Sequence, residues 1–169
     1  YQNLRDKVQC KVYDVDRNRS FNTLEEVVEQ EYIFVCLPTP MRKDGSCDLS
    51  ILEKFFEDIE EMDLDILKER TFIIKSTVPI GTTKRLAEKH SLTWIVHNPE
   101  FLTARNAVHD FKVAQRTIIG GDSLLTSRVS QLYWGYLHFG EDHKIIQCSS
   151  DESEAIKYFS NTFLAYKVA

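Results

Sequence analysis

The sequence predicts an α/β fold, a doubly wound parallel sheet, and three observations predict it. Short β-like runs alternate with helical stretches from one end of the chain to the other. The runs are rich in Val, Ile, Phe and Tyr, the residues that suit a pleated, buried surface. Most of them stop on polar or proline-rich residues, as expected where strands end at a ligand-facing edge. At 169 residues, 43% of them hydrophobic, the chain matches a single globular domain with a core of ordinary size.

In chain order, Tyr1-Gln2-Asn3-Leu4-Arg5 reads as the tail of a helix rather than a native start. The candidate strands are Cys10 to Tyr13, Tyr32 to Leu37, Thr71 to Lys75, Thr93 to His97, Arg116 to Ile119 and Lys144 to Gln147. Leu49 to Leu67 is the clearest helix, because Ile51, Leu52, Phe55, Phe56, Ile59 and Met62 recur mostly at three- and four-residue intervals. Ser123 to Leu137 repeats the pattern with Leu124, Leu125, Val129, Leu132 and Tyr133. A last helix runs from Ser153 to Ala169 with no stop signal. Pro38 to Asp48 is a loop-like insert with a Pro-Thr-Pro and an Asp-Gly turn signal.

Composition narrows the function classes. The net charge of -5 and the lack of a basic stripe give no reason to expect a nucleic-acid partner. No apolar run approaches the roughly 18–20 residues of a membrane span, and no signal-peptide pattern appears. Cys10, Cys36, Cys47 and Cys148 match no zinc spacing, and no histidine pairs with a carboxylate at metal spacing, so no metal is assigned. Cys10 and Cys36 read as small buried hydrophobes, and a reducing, cytoplasmic compartment is the simplest reading.

Ligands of open parallel sheets bind beyond the carboxyl ends of the strands. Asp14 ends the first visible strand, where an acidic residue accepts hydrogen bonds from an adenosine ribose and repels a 2′-phosphate. Its dull reading is a solvated loop aspartate. Ser76-Thr77-Val78-Pro79-Ile80-Gly81-Thr82-Thr83 follows an apolar strand. Its hydroxyls suit a phosphate, ribose or water, though a helix start with a threonine cap would explain Thr82 and Thr83. Glu100, in Asn98-Pro99-Glu100-Phe101-Leu102, is placed as a general base or a water-orienting group, or else is a surface glutamate. Lys157 and Asn161 lie four apart on one helix face and together can hold an oxyanion, though such a face is more often merely solvated. The acidic run Asp151-Glu152-Ser153-Glu154 reads as helix N-terminal charge on the surface.

No GxGxxG loop is present, although a Rossmann-like sheet normally has one after its central first strand. That strand and loop are expected to be missing from the sequence given. A sheet lacking them would carry a gap lined with unpaired backbone groups, at about 1–3 kcal/mol each.

Four ordered motifs resemble the UDP-glucose/GDP-mannose dehydrogenase family over almost the whole chain. Phe34-Val35-Cys36-Leu37-Pro38-Thr39-Pro40, with Asp44-Gly45 and Asp48, is similar to its cofactor loop. Ser76 to Thr83 resembles its STVPxGTT motif, and Asn98 to Leu102 its NPEFL segment. Glu154 to Ala165 resembles the start of the helix linking its two domains. The resemblance implies a Rossmann-type NAD-binding domain over 1–150 and the start of an interdomain and dimerisation helix over 151–169. It implies that Asp14 and Arg19 contact the adenosine ribose of NAD. Cys36, Leu37, Pro38 and Thr39 would line the cofactor channel. Ser76 and Thr77 would touch NAD, with Thr77 also placing a catalytic water. Glu100 would act in acid–base steps. Lys157, assisted by Asn161, would bind the sugar, beside Phe101 and Leu102. The implied reaction is a four-electron oxidation of UDP-glucose type in a homodimer, through a cysteine thioester. None of the four cysteines here matches that cysteine's motif. Thr103-Ala104-Arg105 also departs from the family's usual Arg-Glu-Gly. That departure leaves a catalytically degenerate binding module as the rival expectation.

Overall fold

The computed structural model describes residues 8–62, 68, 70–103, 105–136 and 142–168. Tyr1 to Arg5 and Ala104 lie outside the described residues, as does the expected end of the long helix at 63–67. Five strands, β1 (Tyr32–Val35), β2 (Thr71–Ile74), β3 (Ile95–His97), β4 (Arg116–Gly120) and β5 (Lys144–Cys148), form one sheet in that order. Six described helices join them: α1 (Leu24–Val28), α2 (Ser50–Glu60), α3 (Thr82–Lys89), α4 (Ala107–Lys112), α5 (Ser123–Tyr136) and α6 (Ser150–Val168). None of the described helices is long and apolar enough to cross a membrane.

Side chains alternate across the sheet and fill two cores. On one face Ile33, Val35, Phe72, Ile74 and Ile95 pack with Leu52, Phe56 and Ile59 of α2 and Leu86 of α3. On the other, Ile73, Val96 and Ile119 meet Leu125, Val129 and Tyr133 of α5. With both faces covered, β2 is buried at every position, which is why Thr71 to Ile74 reads as an apolar run rather than an alternation. Arg128 of α5 sets its guanidinium 5.5 Å from the Tyr32 ring centre and 5.1 Å from that of Trp94.

Three expectations need correction. Cys10 to Tyr13 is not a strand. Its backbone bonds to the following loop instead: Val12 N donates to Asn22 Oδ1 at 3.0 Å, and Phe21 N and Asn22 N donate to Val12 O. A strand exists only against a partner, and this segment has none among the described residues. Nor does the described sheet contain a gap, because β1 forms its edge. Finally, the sheet is not wholly parallel. The β1–β2, β2–β3 and β4–β5 pairs are parallel, but β4 runs antiparallel to β3, with His97 opposite Gly120. The connection from Asn98 to Gln115 carries only the short α4 and turns back beside β3, and an antiparallel neighbour needs no crossover.

Candidate active site

The carboxyl ends of β1 and β2 are stitched together by side chains. Ser76 Oγ donates to Leu37 O at 2.6 Å and accepts Leu37 N–H at 3.0 Å. Thr39 Oγ1 donates to Thr77 O at 2.7 Å. The Ser76 hydroxyl is therefore spent on the Leu37 backbone. Thr82 Oγ1 is spent on Pro79 O and Thr83 Oγ1 on Glu154. Among the described residues, the half-buried Thr77 is the one hydroxyl of this turn with no hydrogen bond. Cys36, just beyond β1, is exposed, contrary to its reading as a buried hydrophobe, because the strand's burial ends at Val35.

Asp14 and Arg19 share a polar loop. Asp14 Oδ1 accepts Asp16 N–H at 2.9 Å, and its second oxygen has no partner among the described residues. Arg19 turns its Nε toward Asp16 Oδ2 at 3.4 Å, not toward Asp14.

Beyond β3 the chain builds a cleft of about 220 Å³, lined by Lys75, Asn98, Glu100, Phe101, Arg116 and Tyr133 among others. Buried Asn98 is its floor. Its Nδ2 donates to Ile118 O at 2.6 Å, and its Oδ1 accepts Lys75 Nζ at 2.9 Å and the Tyr133 hydroxyl. Burial pushes the Lys75 amine down to about 8. Lys75 and Tyr133 were not singled out in the sequence. A lysine ending an apolar strand was the visible signal for the first, and nothing local marks the second.

Glu100 and Lys157, 57 residues apart, meet at the rim. Lys157 Nζ donates to Glu100 O and lies 3.3 Å from Glu100 Oε1, while Glu100 Oε2 accepts Leu102 N–H at 2.6 Å. The Phe101 ring centre lies 5.2 Å from Lys157 Nζ and 5.6 Å from the Arg116 guanidinium. Lys157 is only 4% exposed, so it is not on a solvated face. A buried ammonium is costly unless paired, and here the Glu100 carboxylate and carbonyl pair it. Asn161, one turn further along α6, is exposed, and no described residue bonds to its side chain. The structure thus brings Glu100, Phe101, Leu102 and Lys157 together and leaves Asn161 outside that cluster.

The acidic start of α6 also differs from expectation. Ser149 and Glu152 form a reciprocal cap, Glu152 N to Ser149 Oγ at 3.3 Å and Ser149 N to Glu152 Oε2 at 2.8 Å, which starts the helix before Ser153. Ser153 and Glu154 are fully buried rather than on the surface. Ser153 Oγ lies 2.8 Å from Nδ1 of buried His97, whose Nε2 faces Ser76 O at 3.3 Å. Burial lowers His97 to about 4, so its ring is neutral near pH 7. Among the described residues no group of three or more His, Cys, Asp or Glu is arranged to hold a metal.

A carboxylate at the cleft rim can take a proton from an alcohol, and the ammonium beside it can hold a developing oxyanion. Comparison with known proteins places the chain in a family. Residues 2–136 match the family described as "UDP-glucose/GDP-mannose dehydrogenase family, NAD binding domain". The UDP-glucose 6-dehydrogenase of Campylobacter jejuni is 36% identical over 138 residues, covering 80% of this chain and 34% of that protein. An uncharacterized protein of Methanocaldococcus jannaschii is 35% identical over 160 residues, covering 92% of this chain and 18% of that one. Among solved structures, the UDP-glucose dehydrogenase of Pyrobaculum islandicum superposes with a TM-score of 0.72 at 30% identity, covering 88% of this chain and 36% of that one. The chain thus spans about a third or less of the length of these relatives.

Proposed function

The chain belongs to the UDP-glucose/GDP-mannose dehydrogenase family, the matched part being its NAD-binding domain, and from that premise we propose that the protein oxidises the primary alcohol of a nucleotide sugar of UDP-glucose type. The observation that carries this reading is the Glu100–Lys157 pair on the rim of the cleft, with Phe101 against the lysine. Glu100 receives the alcohol proton. Lys157 holds the oxygen as charge develops on it and donates in place of its present bond to Glu100 O. Thr77, with its unspent hydroxyl, places a water.

NAD, when bound, supplies the hydride acceptor. The residues present suit it: Asp14 has an unpartnered carboxylate oxygen for a ribose hydroxyl and would repel a 2′-phosphate. Arg19 lies in the same loop, and Cys36, Leu37, Pro38, Thr39, Ser76 and Thr77 would line the cofactor channel in this reading. Residues 1–150 serve as the cofactor domain in this reading, and 151–169 begin a linking helix. Phe159, Phe163 and Leu164, exposed on α6, support an apolar partner there, a second copy in a homodimer.

The test is NADH formation by folded full-length protein offered UDP-glucose and other nucleotide sugars. Turnover with UDP-glucose is the expected result, and none with any nucleotide sugar would overturn the proposal. The rival, a module that binds without turning over, rests on Thr103-Ala104-Arg105. It would show NAD binding with no NADH.

A further inference from the structure

Glu154 is a fully buried carboxylate that the reaction above does not use. It leaves α6 and reaches the start of α3, where Oε2 accepts Gly81 N–H at 2.6 Å. Its Oε1 accepts both Thr83 N–H at 2.8 Å and the Thr83 hydroxyl at 2.6 Å. Helix starts are normally closed by a side chain of their own N-cap residue. Here the N-cap is Gly81, with φ of 87° and no side chain to offer, and the cap comes from 73 residues away. The positive end of α3 and these donors hold the carboxylate in its buried place.

Glu154 and Lys157 are three apart, so they project from neighbouring points on α6. Glu154 faces the turn Ser76 to Thr83, and Lys157 faces Glu100. Ser153, between the cap and Glu154, is fastened to His97 of β3. The first two turns of α6 are thus fixed at three points, to the start of α3 after β2, to His97 in β3 and to Glu100 just beyond β3. Buried charged groups add little net stability against an apolar replacement, but they fix registry well.

We propose that Glu154 is a positioning residue: by bridging α6 to the start of α3 it holds the Lys157 ammonium against Glu100. This rests on the reading of Lys157 as the substrate-handling lysine. Two variants of the full-length protein test it. Glu154→Gln keeps the shape but turns an amide N–H₂ toward N–H donors. Thr83→Val keeps both backbone bonds and removes only the hydroxyl.

The first readout needs no turnover: the rate at which an amine-reactive ester acylates Lys157, followed by mass spectrometry, with half-buried Lys75 as internal reference. In Glu154→Gln the Lys157 rate should rise roughly tenfold and the Lys75 rate less than about twofold, as for local rather than global opening. Thr83→Val should move Lys157 in the same direction by about threefold. The second readout is NADH release, in which kcat should fall by roughly tenfold while KM for NAD stays within about threefold. If both lysines become reactive together, Glu154 only stabilises the fold, and the proposal is overturned. An unchanged Lys157 rate in both variants also overturns it. A wild-type protein that never forms NADH sinks the functional reading instead and leaves the acylation rates to decide the role of Glu154.

Discussion

Gly120 closes β4 directly beneath the first turn of α6. A Cβ added there would lie 2.3 Å from Ser153 Cβ and 2.7 Å from Ser149 O. Carbon atoms rest about 3.5–4 Å apart, so Gly120→Ala requires α6 to withdraw by about 1.2 Å. Both obstructing groups belong to structured backbone or to the Cβ of a fully buried residue, and neither can swing aside. Overpacking of this kind costs roughly 1–3 kcal/mol. For a domain of this size that lowers Tm by roughly 3–10 °C. The same shift would lengthen the Ser153–His97 bond and draw Lys157 from Glu100, so turnover should fall more than stability alone explains. Gly135→Ala is the matched control. Gly135 lies inside α5 with nothing within 4 Å of an added Cβ. Alanine there should be neutral or stabilise by roughly 0.5–1 kcal/mol. Urea unfolding and thermal melts of the two variants read the difference. Gly120→Ala melting with wild type, or Gly135→Ala losing as much, would refute the close approach of α6 to β4.

Three further outcomes follow from the geometry. His97 titrates at about 4 in the fold because burial disfavours its cation, against about 6.5 unfolded. The unfolded chain therefore binds the extra proton between those values. Stability from the neutral ring is intact above about 6.5 and declines as pH falls through 4, by up to roughly 3 kcal/mol. Urea titrations at several pH values should show that slope in wild type and a flatter one in His97→Gln; equal slopes would remove His97 as the cause. Arg128→Ala should lower stability by roughly 1–2 kcal/mol by losing its contacts with Tyr32 and Trp94, the exposed Glu31 pair adding little. Arg128→Lys should recover little of it, and a thermal melt unchanged in Arg128→Ala would contradict the assignment. Asp14→Ala should weaken NAD binding by roughly tenfold in a calorimetric titration, the worth of one charge-assisted hydrogen bond. Unchanged affinity would remove Asp14 from the ribose site.

Much of the fold was legible because β-rich apolar runs and three- to four-residue periodicity report burial directly. The five strands from Tyr32 onward and the three long helices overlap the stretches those patterns mark, although α2 stops at Glu60, short of the expected Leu67. Apolar pattern does not report partners, however. Cys10 to Tyr13 has the composition of a strand without an edge to pair with, and the reversed direction of β4 depends on the path of its connection. Short α1 announces itself only through Thr23 and Glu26, a capping box, and α4 buries no residue and so leaves no periodic trace. At the site, strand-end logic singled out Glu100 and helix spacing singled out Lys157, which the structure places side by side. It missed Glu154, since a carboxylate capping another helix looks the same in sequence as one capping its own. It also missed Lys75 and Tyr133, whose meeting at Asn98 joins three separate elements.

In the proposed function, Glu100 and Lys157 form the working pair of an NAD-dependent nucleotide-sugar dehydrogenase. Single-turnover NADH formation from UDP-glucose by full-length wild type and by Lys157→Met tests it most directly. The wild type should form NADH, and Lys157→Met should keep its NAD affinity while its rate falls by roughly 10²–10³-fold, the usual loss on removing an oxyanion donor. A folded Lys157→Met protein that forms NADH at the wild-type rate would contradict it.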